Sequence, residues 1–319
     1  MGRFLFLMIP TLPYLMSQKL LICTLFLSLF LAACDSDSSE GQEDVPRTLR
    51  LDLIGAEPLT NGFHYEGWVL STGAVNVSIG KFNVDAAGNL VDLSGNPIPN
   101  NSFETNVDLS VVPSMFISIE PDGDTNQTPS ATRFLGGDFA NGVASLTAEH
   151  RSGIGTNLFL ATGTYILSTP TNGPDTNEDS GVWFINLTAG PQGRGLTLPD
   201  LPTGWIYEGW TVIDGTPVTT GTFTRVTGAD DAAPYSGPMD GFAFPGEDFL
   251  VNAPAGLSFP TFLSGATVVV SVEPSPDFDA GPFTLKLLSG AIPSNATNEV
   301  TYNLDNDAAI FPTGTARVR

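Results

Sequence analysis

Cysteine and histidine are nearly absent from this chain of 319 residues. The two cysteines, Cys23 and Cys34, lie near the start, so the rest of the chain has neither a disulfide nor a free thiol. Only His64 and His150 can act as a general base or a zinc ligand, and no Gly-x-Ser-x-Gly elbow occurs. Nucleophilic and zinc-dependent hydrolases need clusters of such groups. We therefore expect a protein that is not an enzyme and holds no cofactor.

Basic residues are also scarce, because 12 Lys and Arg stand against 34 Asp and Glu for a net charge of −22. If Arg3 and Lys19 leave with an N-terminal leader, the mature chain carries −24. Such a chain repels phosphate backbones, which argues against a nucleic-acid partner. The acidic surface is either a solvated coat, adapted to salt, or a means of recognising a cationic partner or calcium.

No stretch after residue 48 shows a helical hydrophobic period, and the patterns there are those of β-strands. Four short segments alternate apolar with polar residues or are rich in β-branched residues: Leu49–Leu53, Val107–Val111, Phe116–Ile119 and Ala266–Val272. Pro121 and Pro274 should end their strands, because proline lacks the N–H donor that a β-ladder needs. With 34 Gly and 25 Pro between short strands, the sequence predicts an all-β fold of antiparallel, Ig-like sandwiches.

The first 33 residues have the pattern of a signal peptide, with Lys19 before an apolar run from Leu20 to Leu31. Leu31-Ala32-Ala33-Cys34 has the form of a lipobox, in which the thiol of Cys34 receives a lipid. An ordinary signal peptide or a single membrane span is the alternative, but the run is shorter than the roughly 20 residues that a span needs. We expect a lipid-anchored, extracytoplasmic protein of the cell envelope, on the inner or the outer membrane, with residues 34–46 as an acidic tether.

The chain contains one short motif twice, as Gly62-Phe63-His64-Tyr65-Glu66-Gly67-Trp68 and Gly204-Trp205-Ile206-Tyr207-Glu208-Gly209-Trp210. Further landmarks follow both copies in the same order: Gly80-Lys81-Phe82 with Gly221-Thr222-Phe223, Glu120-Pro121 with Glu273-Pro274, and Thr162-Gly163-Thr164 with Thr313-Gly314-Thr315. A repeat of this length indicates a duplicated module. The polar, turn-rich segment 171–179 separates the copies. We therefore predict two tandem sandwich domains, residues 47–170 and 180–319, joined by that linker.

These landmarks resemble the C-terminal, extracytoplasmic domain of anti-sigma-K factors of the RskA type, whose pattern runs Tyr-Gln-x-Trp, Gly-x-Phe and a strand ending in Glu-Pro. Both copies depart from it by carrying Glu66 or Glu208 in place of the Gln. The loop 275–281 of the second copy also lacks the paired glycines of the family. The resemblance implies a role in envelope signalling. At most 19 residues precede the apolar run, so we expect no sigma-binding domain and no direct contact with a sigma factor.

Glu66 with Trp68, and Glu208 with Trp210, are the candidate binding residues. Alternation along a strand places each carboxylate on the same face as its indole, where the two could form a small recognition surface. The alternative is an outward strand face on which Glu lies beside a partly covered Trp. The pairs Glu66/Glu120 and Glu208/Glu273 would also allow acid–base catalysis in a carboxylate-dependent hydrolase. His64 occurs in the first copy only, which favours a half-buried structural position over a catalytic one.

Asp122, Asp124 and Asn126 offer oxygen ligands at alternate positions, as the opening of a calcium-binding loop does. The later positions of such a loop do not follow, because Gln127 and Arg133 stand where Gly and Glu are needed. Asp and Asn are also ordinary turn formers, so a turn without metal is the alternative.

Two functions of different kinds fit these patterns. The first is a non-enzymatic, membrane-anchored binding or sensing lipoprotein with a partner protein in the envelope, and the second is a structural module of the cell envelope. A hydrolase fits less well. Solvent-exposed Trp68 and Trp210 would favour binding, whereas buried indoles would favour the structural role.

Overall fold

The computed structural model describes residues 45–188 and 193–319, which are built from β-strands and short 3₁₀ turns. The strands are β1 Thr48–Ile54, β2 His64–Ser71, β3 Val75–Val84, β4 Leu90–Val91, β5 Ser102–Glu104, β6 Ser114–Glu120, β7 Arg133–Ala140, β8 Val143–Leu146, β9 Thr162–Leu167, β10 Gly181–Trp183, β11 Ile185–Asn186, β12 Gly193–Arg194, β13 Leu196–Thr197, β14 Trp205–Ile213, β15 Thr216–Phe223, β16 Gly246–Asp248, β17 Thr267–Pro274, β18 Lys286–Ala291, β19 Tyr302–Asn306 and β20 Thr313–Val318. The 3₁₀ turns are Pro99–Asn101, Leu109–Val111, Leu158–Leu160, Pro170–Asn172, Glu178–Ser180 and Ala308–Ile310. The predicted all-β, antiparallel class is confirmed.

Each helical segment in the described residues has only three residues, and none of them could cross a membrane. The predicted leader, the predicted lipobox with Cys34 and most of the predicted acidic tether lie outside the described residues.

Most of the strands predicted from alternation form where expected. The Leu49–Leu53 pattern lies in β1, Phe116–Ile119 lies in β6, and the β-branched run lies in β17. Val107–Val111 is the exception, since Leu109–Val111 forms a 3₁₀ turn. Its cause is local, because the Asp108 carboxylate accepts a hydrogen bond from the backbone N–H of Ser110 at 2.9 Å and closes a turn.

Both halves of the chain build a sheet with the same strand order. In the first half the order is β3-β2-β6-β7-β8-β20-β1-β5, with β4 added beside β3. In the second half it is β15-β14-β17-β18-β19-β9-β10-β16, with β13 pairing to β9. The motif strands β2 and β14 hold the same position in the two sheets, so the sequence repeat is also a structural repeat.

The two sheets exchange one strand. β20, at the end of the chain, lies between β8 and β1 in the first sheet, whereas β9 lies between β19 and β10 in the second. These strands carry the matching Thr-Gly-Thr landmarks of the two copies. Each sheet therefore contains a central strand supplied by the other half of the chain.

The first sheet folds back on itself across a hydrophobic interior. Phe82 on β3 and Phe103 on β5 lie near opposite ends of the strand order, yet their ring centroids are 5.6 Å apart. The core continues from one half into the other through Phe134, which lies 6.5 Å from Trp205 and 5.7 Å from Phe283. Asp44–Arg319 accordingly forms one compact unit.

The predicted linker, residues 171–179, packs against the second half of the chain. Thr171 is buried, and its backbone N–H donates to the Asp248 carboxylate at 2.8 Å. The carbonyl of Thr171 accepts from the N–H of Met239 at 3.0 Å. Cutting the chain at residues 170 and 180 would leave β9 and β20 each outside the sheet that holds it, so we expect neither 47–170 nor 180–319 to fold alone.

Candidate functional site

The duplicated motif places its tyrosine and its tryptophan on opposite faces of one strand. Tyr65 is part of the main hydrophobic core, and its hydroxyl donates to the carbonyl of Glu57 at 2.9 Å. Tyr207 does the same with the carbonyl of Pro199 at 2.7 Å. Because side chains alternate along a strand, the Glu and Trp of each copy lie on the other face.

A β-bulge explains the glycine of the motif. The pairing register shifts between Gly67 and Trp68, where Ile79 is the extra residue on β3. A Cβ atom on Gly67 would come within 2.7 Å of the Ile79 side chain. The second copy has the same shift between Gly209 and Trp210. Glycine is thus required there for close approach, and the motif is in part a signature of the bulge.

Both tryptophans are buried, and each belongs to a chain of hydrogen bonds. The Trp68 indole N–H donates to Ser118 Oγ at 2.7 Å, and that hydroxyl donates to Glu120. The backbone N–H of Ser130 also donates to Glu120, at 2.9 Å. Trp68 and Ser118 are 0 % exposed and Glu120 is 1 % exposed. A substrate in solution has no access to a carboxylate in that position.

The second half repeats this network. Trp210 donates to Ser271 Oγ at 2.8 Å, Ser271 donates to Glu273, and the backbone N–H of Phe283 donates to Glu273 at 2.9 Å. A buried polar group needs a partner to offset its lost hydration. The shared Trp–Ser–Glu network meets that need in both halves, which indicates a structural role for the shared part of the motif.

The expectation that Glu66 and Glu208 face outwards is wrong, because their residues are only 2 % and 5 % exposed. The loops that follow β6 and β17 contact this face, as the bonds from Ser130 and Phe283 show. One oxygen of Glu66 accepts from the Ser78 hydroxyl, and one of Glu208 accepts from Thr219 at 2.5 Å. The second oxygen of each has no hydrogen-bond partner in the described residues.

In the first half a cluster of charged groups surrounds Glu66. Lys81 Nζ donates to Asp124 Oδ2 at 2.8 Å and lies 3.8 Å from Glu66 Oε2. His64 is 4 % exposed, and one ligand atom each from His64, Glu66 and Asp124 lies within 4.8 Å of the others. We call His64, Glu66, Lys81 and Asp124 the imidazole–carboxylate cluster.

A cleft of about 520 Å³ opens beside this cluster. It is lined by His64 and by three aspartates, Asp92, Asp122 and Asp124, together with apolar side chains that include Phe63 and Leu93. We call it the aspartate cleft. Its acidic lining favours a cationic ligand, and its apolar walls lower the local dielectric and so strengthen that attraction.

The second half has no equivalent of Lys81 or His64, since Thr222 pairs with Glu208 across the strands and Ile206 precedes Tyr207. Burial raises the pKa of Glu208 to about 7, and nearby Asp277 adds to the effect. Burial also raises the pKa of Glu273 to about 8. In the first half burial raises the pKa of Glu66 as well, but Lys81 opposes that rise.

Two of the three proposed calcium ligands, Asp124 and Asn126, already accept hydrogen bonds. Asp124 Oδ1 accepts from the side-chain amide of Asn126 at 2.6 Å, while Oδ2 accepts from Lys81. Asn126 Oδ1 accepts from the backbone N–H of Thr128 at 2.7 Å. Burial opposes ionisation of Asp124, yet the hydrogen bond and charge of Lys81 lower its pKa. The geometry favours a turn tied to an ammonium group over a calcium loop.

Sequence reasoning found Glu66, Trp68, Glu208 and Trp210 but missed the imidazole–carboxylate cluster. One signal was present, because His64 and Glu66 are two residues apart and so share a strand face. The approach of Lys81 and Asp124 depends on strand pairing and on the path of the loop after β6, which no local pattern encodes.

Comparisons with protein-family models, with curated proteins and with solved structures find no match to this chain. The resemblance to the outer domain of anti-sigma factors therefore stays a prediction from the landmark residues alone.

Proposed function

We propose that this chain is a non-enzymatic, membrane-anchored, extracytoplasmic binding or sensing lipoprotein, whose ligand site is the aspartate cleft of the first half. The observation that carries the proposal is the cleft itself, with three aspartates and a buried imidazole around one opening. The shared Trp–Ser–Glu networks serve as scaffold in this proposal. Its resemblance to the outer domain of anti-sigma factors suggests a signalling role for the bound state.

Binding is tested by thermal shift of the full chain in detergent with small organic polyamines such as spermidine. Asp92→Asn should weaken the stabilisation, because it removes a charge from the cleft. Asp85→Asn is the matched control, since Asp85 and Asp92 accept the same pair of backbone bonds in consecutive turns and only Asp92 lines the cleft. Equal responses of the two variants would count against the cleft as the ligand site.

Anchoring through lipid on Cys34 is tested separately. Cells given labelled fatty acid should incorporate it into the wild-type protein and not into Cys34→Ser. An unlabelled wild-type protein would remove lipid anchoring from the proposal while leaving cleft binding to its own test.

A structural module of the cell envelope is the second candidate, favoured by the full burial of Trp68 and by the 2 % exposure of Trp210. It predicts that no cleft ligand changes the melting temperature. A carboxylate-dependent hydrolase is less favoured, because Glu120 and Glu273 are each 1 % exposed and unable to meet a substrate in this conformation.

A further inference from the structure

We propose that His64, Glu66 and Asp124 form a binding site for one divalent transition-metal ion beside the aspartate cleft. The inference rests on the proposed function, since it names the class of cation that the cleft admits. It goes beyond that function by assigning the ligand atoms, by giving Lys81 a role in occupancy and by confining the site to the first half of the chain.

The imidazole of His64 is oriented as a metal ligand. Its Nδ1 lies 3.2 Å from the carbonyl oxygen of Gly62, and a carbonyl can only accept, so Nδ1 carries the proton. In the neutral imidazole the lone pair of Nε2 is then free. That atom is buried and has no hydrogen-bond partner in the described residues. A metal-bound histidine typically donates its other N–H to a backbone carbonyl in this way, which fixes the tautomer and the ring orientation.

The two carboxylates are held in the same manner, with one oxygen tied back and the other directed at the cluster. Glu66 Oε1 accepts from Ser78, while Oε2 is buried and has no hydrogen-bond donor among the residues that the structure describes. Asp124 Oδ1 accepts from Asn126, and Oδ2 faces Lys81. In each of the three residues, one polar atom is hydrogen-bonded to a neighbouring group and another faces the cluster. This arrangement is typical of metal ligands with hydrogen-bonded outer-shell partners.

The ligand set selects the class of ion. One imidazole nitrogen with two carboxylate oxygens suits borderline ions such as zinc, cobalt or manganese, whereas calcium prefers oxygen alone. The ligand atoms lie within 4.8 Å of one another, and zinc bonds of about 2.0–2.1 Å require a closer set. Closing that gap requires movement of the Asp124 side chain, which lies on the loop after β6 and would have to give up its bond to Lys81.

The ammonium group of Lys81 lies between the two carboxylates, where the ion would bind. This group bonds Asp124 but lies 3.8 Å from Glu66 Oε2, so it balances one of the two carboxylates by a hydrogen bond and the other by charge only. A divalent ion would neutralise both and would also use the His64 lone pair. The Lys81 side chain is 25 % exposed, which gives it a path into solvent when the ion enters. Lys81 is thus a competitor that weakens binding.

The second half is a natural control, because it keeps the glutamate and lacks the imidazole. Ile206, Glu208 and Thr222 occupy the positions of His64, Glu66 and Lys81. Its strand shows that Ile is compatible with the motif. His64→Ile therefore removes the proposed ligand with little risk to folding.

The test is titration of the full, metal-free chain in detergent with Co²⁺, followed by its visible absorption, and then with Zn²⁺ by calorimetry. The wild type should take up one ion per chain, and His64→Ile should lose more than the 10–100-fold in affinity that changes to outer-shell groups cost. His150→Gln should bind as the wild type does, because His150 lies with Asp138 and Arg151 away from the cluster.

Three further variants sharpen the assignment. Lys81→Thr, which copies the second half, should bind about tenfold more tightly because the competing ammonium is gone. Ser78→Ala should weaken binding by about 10-fold as the loss of an outer-shell partner. Thr219→Ala, the matching change beside Glu208, should leave affinity unchanged.

The proposal is overturned if neither the wild type nor Lys81→Thr binds Co²⁺ or Zn²⁺ below about millimolar concentration, or if His64→Ile binds as the wild type does. Binding of calcium alone, indifferent to His64→Ile, would overturn it as well. None of these results touches the proposed function if spermidine still stabilises the chain in an Asp92-dependent manner. If the chain binds metal but spermidine stabilisation does not depend on Asp92, the metal site is retained and polyamine binding in the cleft is refuted.

Discussion

The two halves of the chain share a buried polar face and differ in how they balance its charge. Both carry the bulged Tyr-Glu-Gly-Trp strand and the Trp–Ser–Glu network, with bonds of 2.7 and 2.8 Å from indole to serine. Only the first half adds an ammonium group and an imidazole beside the glutamate of the motif. In the second half burial, with a smaller contribution from acidic neighbours, raises the pKa values of Glu208 and Glu273 to about 7 and about 8.

This difference distinguishes the residues that serve folding from those that are candidates for binding. A feature that serves folding is present in both halves, since both must bury the same strand face. The imidazole–carboxylate cluster belongs to the first half alone, so folding of the duplicated module does not require it. In the second half no lysine or histidine among the described residues lies beside the glutamate of the motif. Burial there favours the neutral, protonated form of Glu208 and Glu273.

The largest expected effect comes from expressing the two halves of the chain as separate fragments. Fragments 47–170 and 180–319, expressed apart, should each fail to show a cooperative melting transition, because each lacks the central strand that the other supplies. Substitution by a fragment's own strand is hindered, since buried Tyr165 of β9 corresponds to Ala316 of β20. β9 would overpack the core of the first sheet, and β20 would leave a cavity in the core of the second. Mixing the fragments should restore the transition in circular dichroism. Cooperative melting of either fragment alone would contradict this expectation.

Next in size is the loss of an indole from either half. Trp68→Ala and Trp210→Ala should each lower the free energy of unfolding by about 3–5 kcal/mol, as truncation of a buried aromatic side chain does. Trp68→Phe and Trp210→Phe keep most of the volume and remove the N–H donor, so they should cost about 1–3 kcal/mol. Chemical denaturation measures all four. Wild-type stability in both alanine variants would refute the scaffold role.

The third prediction concerns pH and the second half. Glu208 and Glu273 bind protons more tightly in the folded state than at their ordinary value of 4.5. Their contribution to stability is therefore complete below about pH 4.5 and is lost as the pH rises through about 7 and about 8. One pKa unit corresponds to about 1.4 kcal/mol. Because both pKa values are raised by more than one unit, we expect the free energy of unfolding to fall by several kcal/mol over this range.

Melting temperatures across that pH range provide the measurement. The double variant Glu208→Gln/Glu273→Gln should reduce the slope of the profile, because neither side chain then titrates. Part of the slope should remain, since burial also raises the pKa values of Glu57, Asp230 and Glu247 to about 7, about 8 and about 7. Glu104→Gln, which removes one charge from an exposed position on β5, is the control and should keep the slope. A double variant with the wild-type slope would show that other groups set the pH dependence.

The smallest expected effect comes from adding a lysine to the second half at the position that Lys81 occupies in the first. Thr222→Lys places an ammonium opposite Glu208, as Lys81 stands opposite Glu66. It should lower the pKa of Glu208 by less than one unit. Since one unit corresponds to about 1.4 kcal/mol, the free energy of unfolding near pH 8 should rise by about 1 kcal/mol. Thr222→Met adds length without charge and should give no such gain. Equal melting temperatures of the two variants at that pH would contradict the proposed compensation.

Much of the fold could be read from local patterns. The strands β1, β6 and β17 follow from alternation or β-branching, and Pro121 comes directly after the end of β6. The equivalence of the halves followed from the order of landmarks. Val107–Val111 alternated equally well and still formed a turn at Asp108, because a side-chain bond to the backbone competes with a strand that has no neighbour.

The candidate site was predictable only in part. Glu66 and Trp68 were recognised as sharing a strand face, and that relation holds because the bulge adds its extra residue to β3. Their burial was not predicted, since it depends on the loop that follows β6. Lys81 and Asp124 reach the cluster through strand pairing and that loop, across separations in sequence that no short motif spans.

By itself the amino-acid sequence determined the all-β class, the duplication and the strand that carries the motif, because alternation, turn residues and a bulge glycine act over a few neighbouring residues. Only the tertiary structure decided that β9 and β20 change places, that Glu66 and Glu208 are buried, and that His64 meets Asp124. The physical reason is that these outcomes depend on which surfaces pack together. A carboxylate at one strand position is exposed or buried according to the loop that covers it, and a Thr-Gly-Thr strand fits whichever sheet offers the matching core.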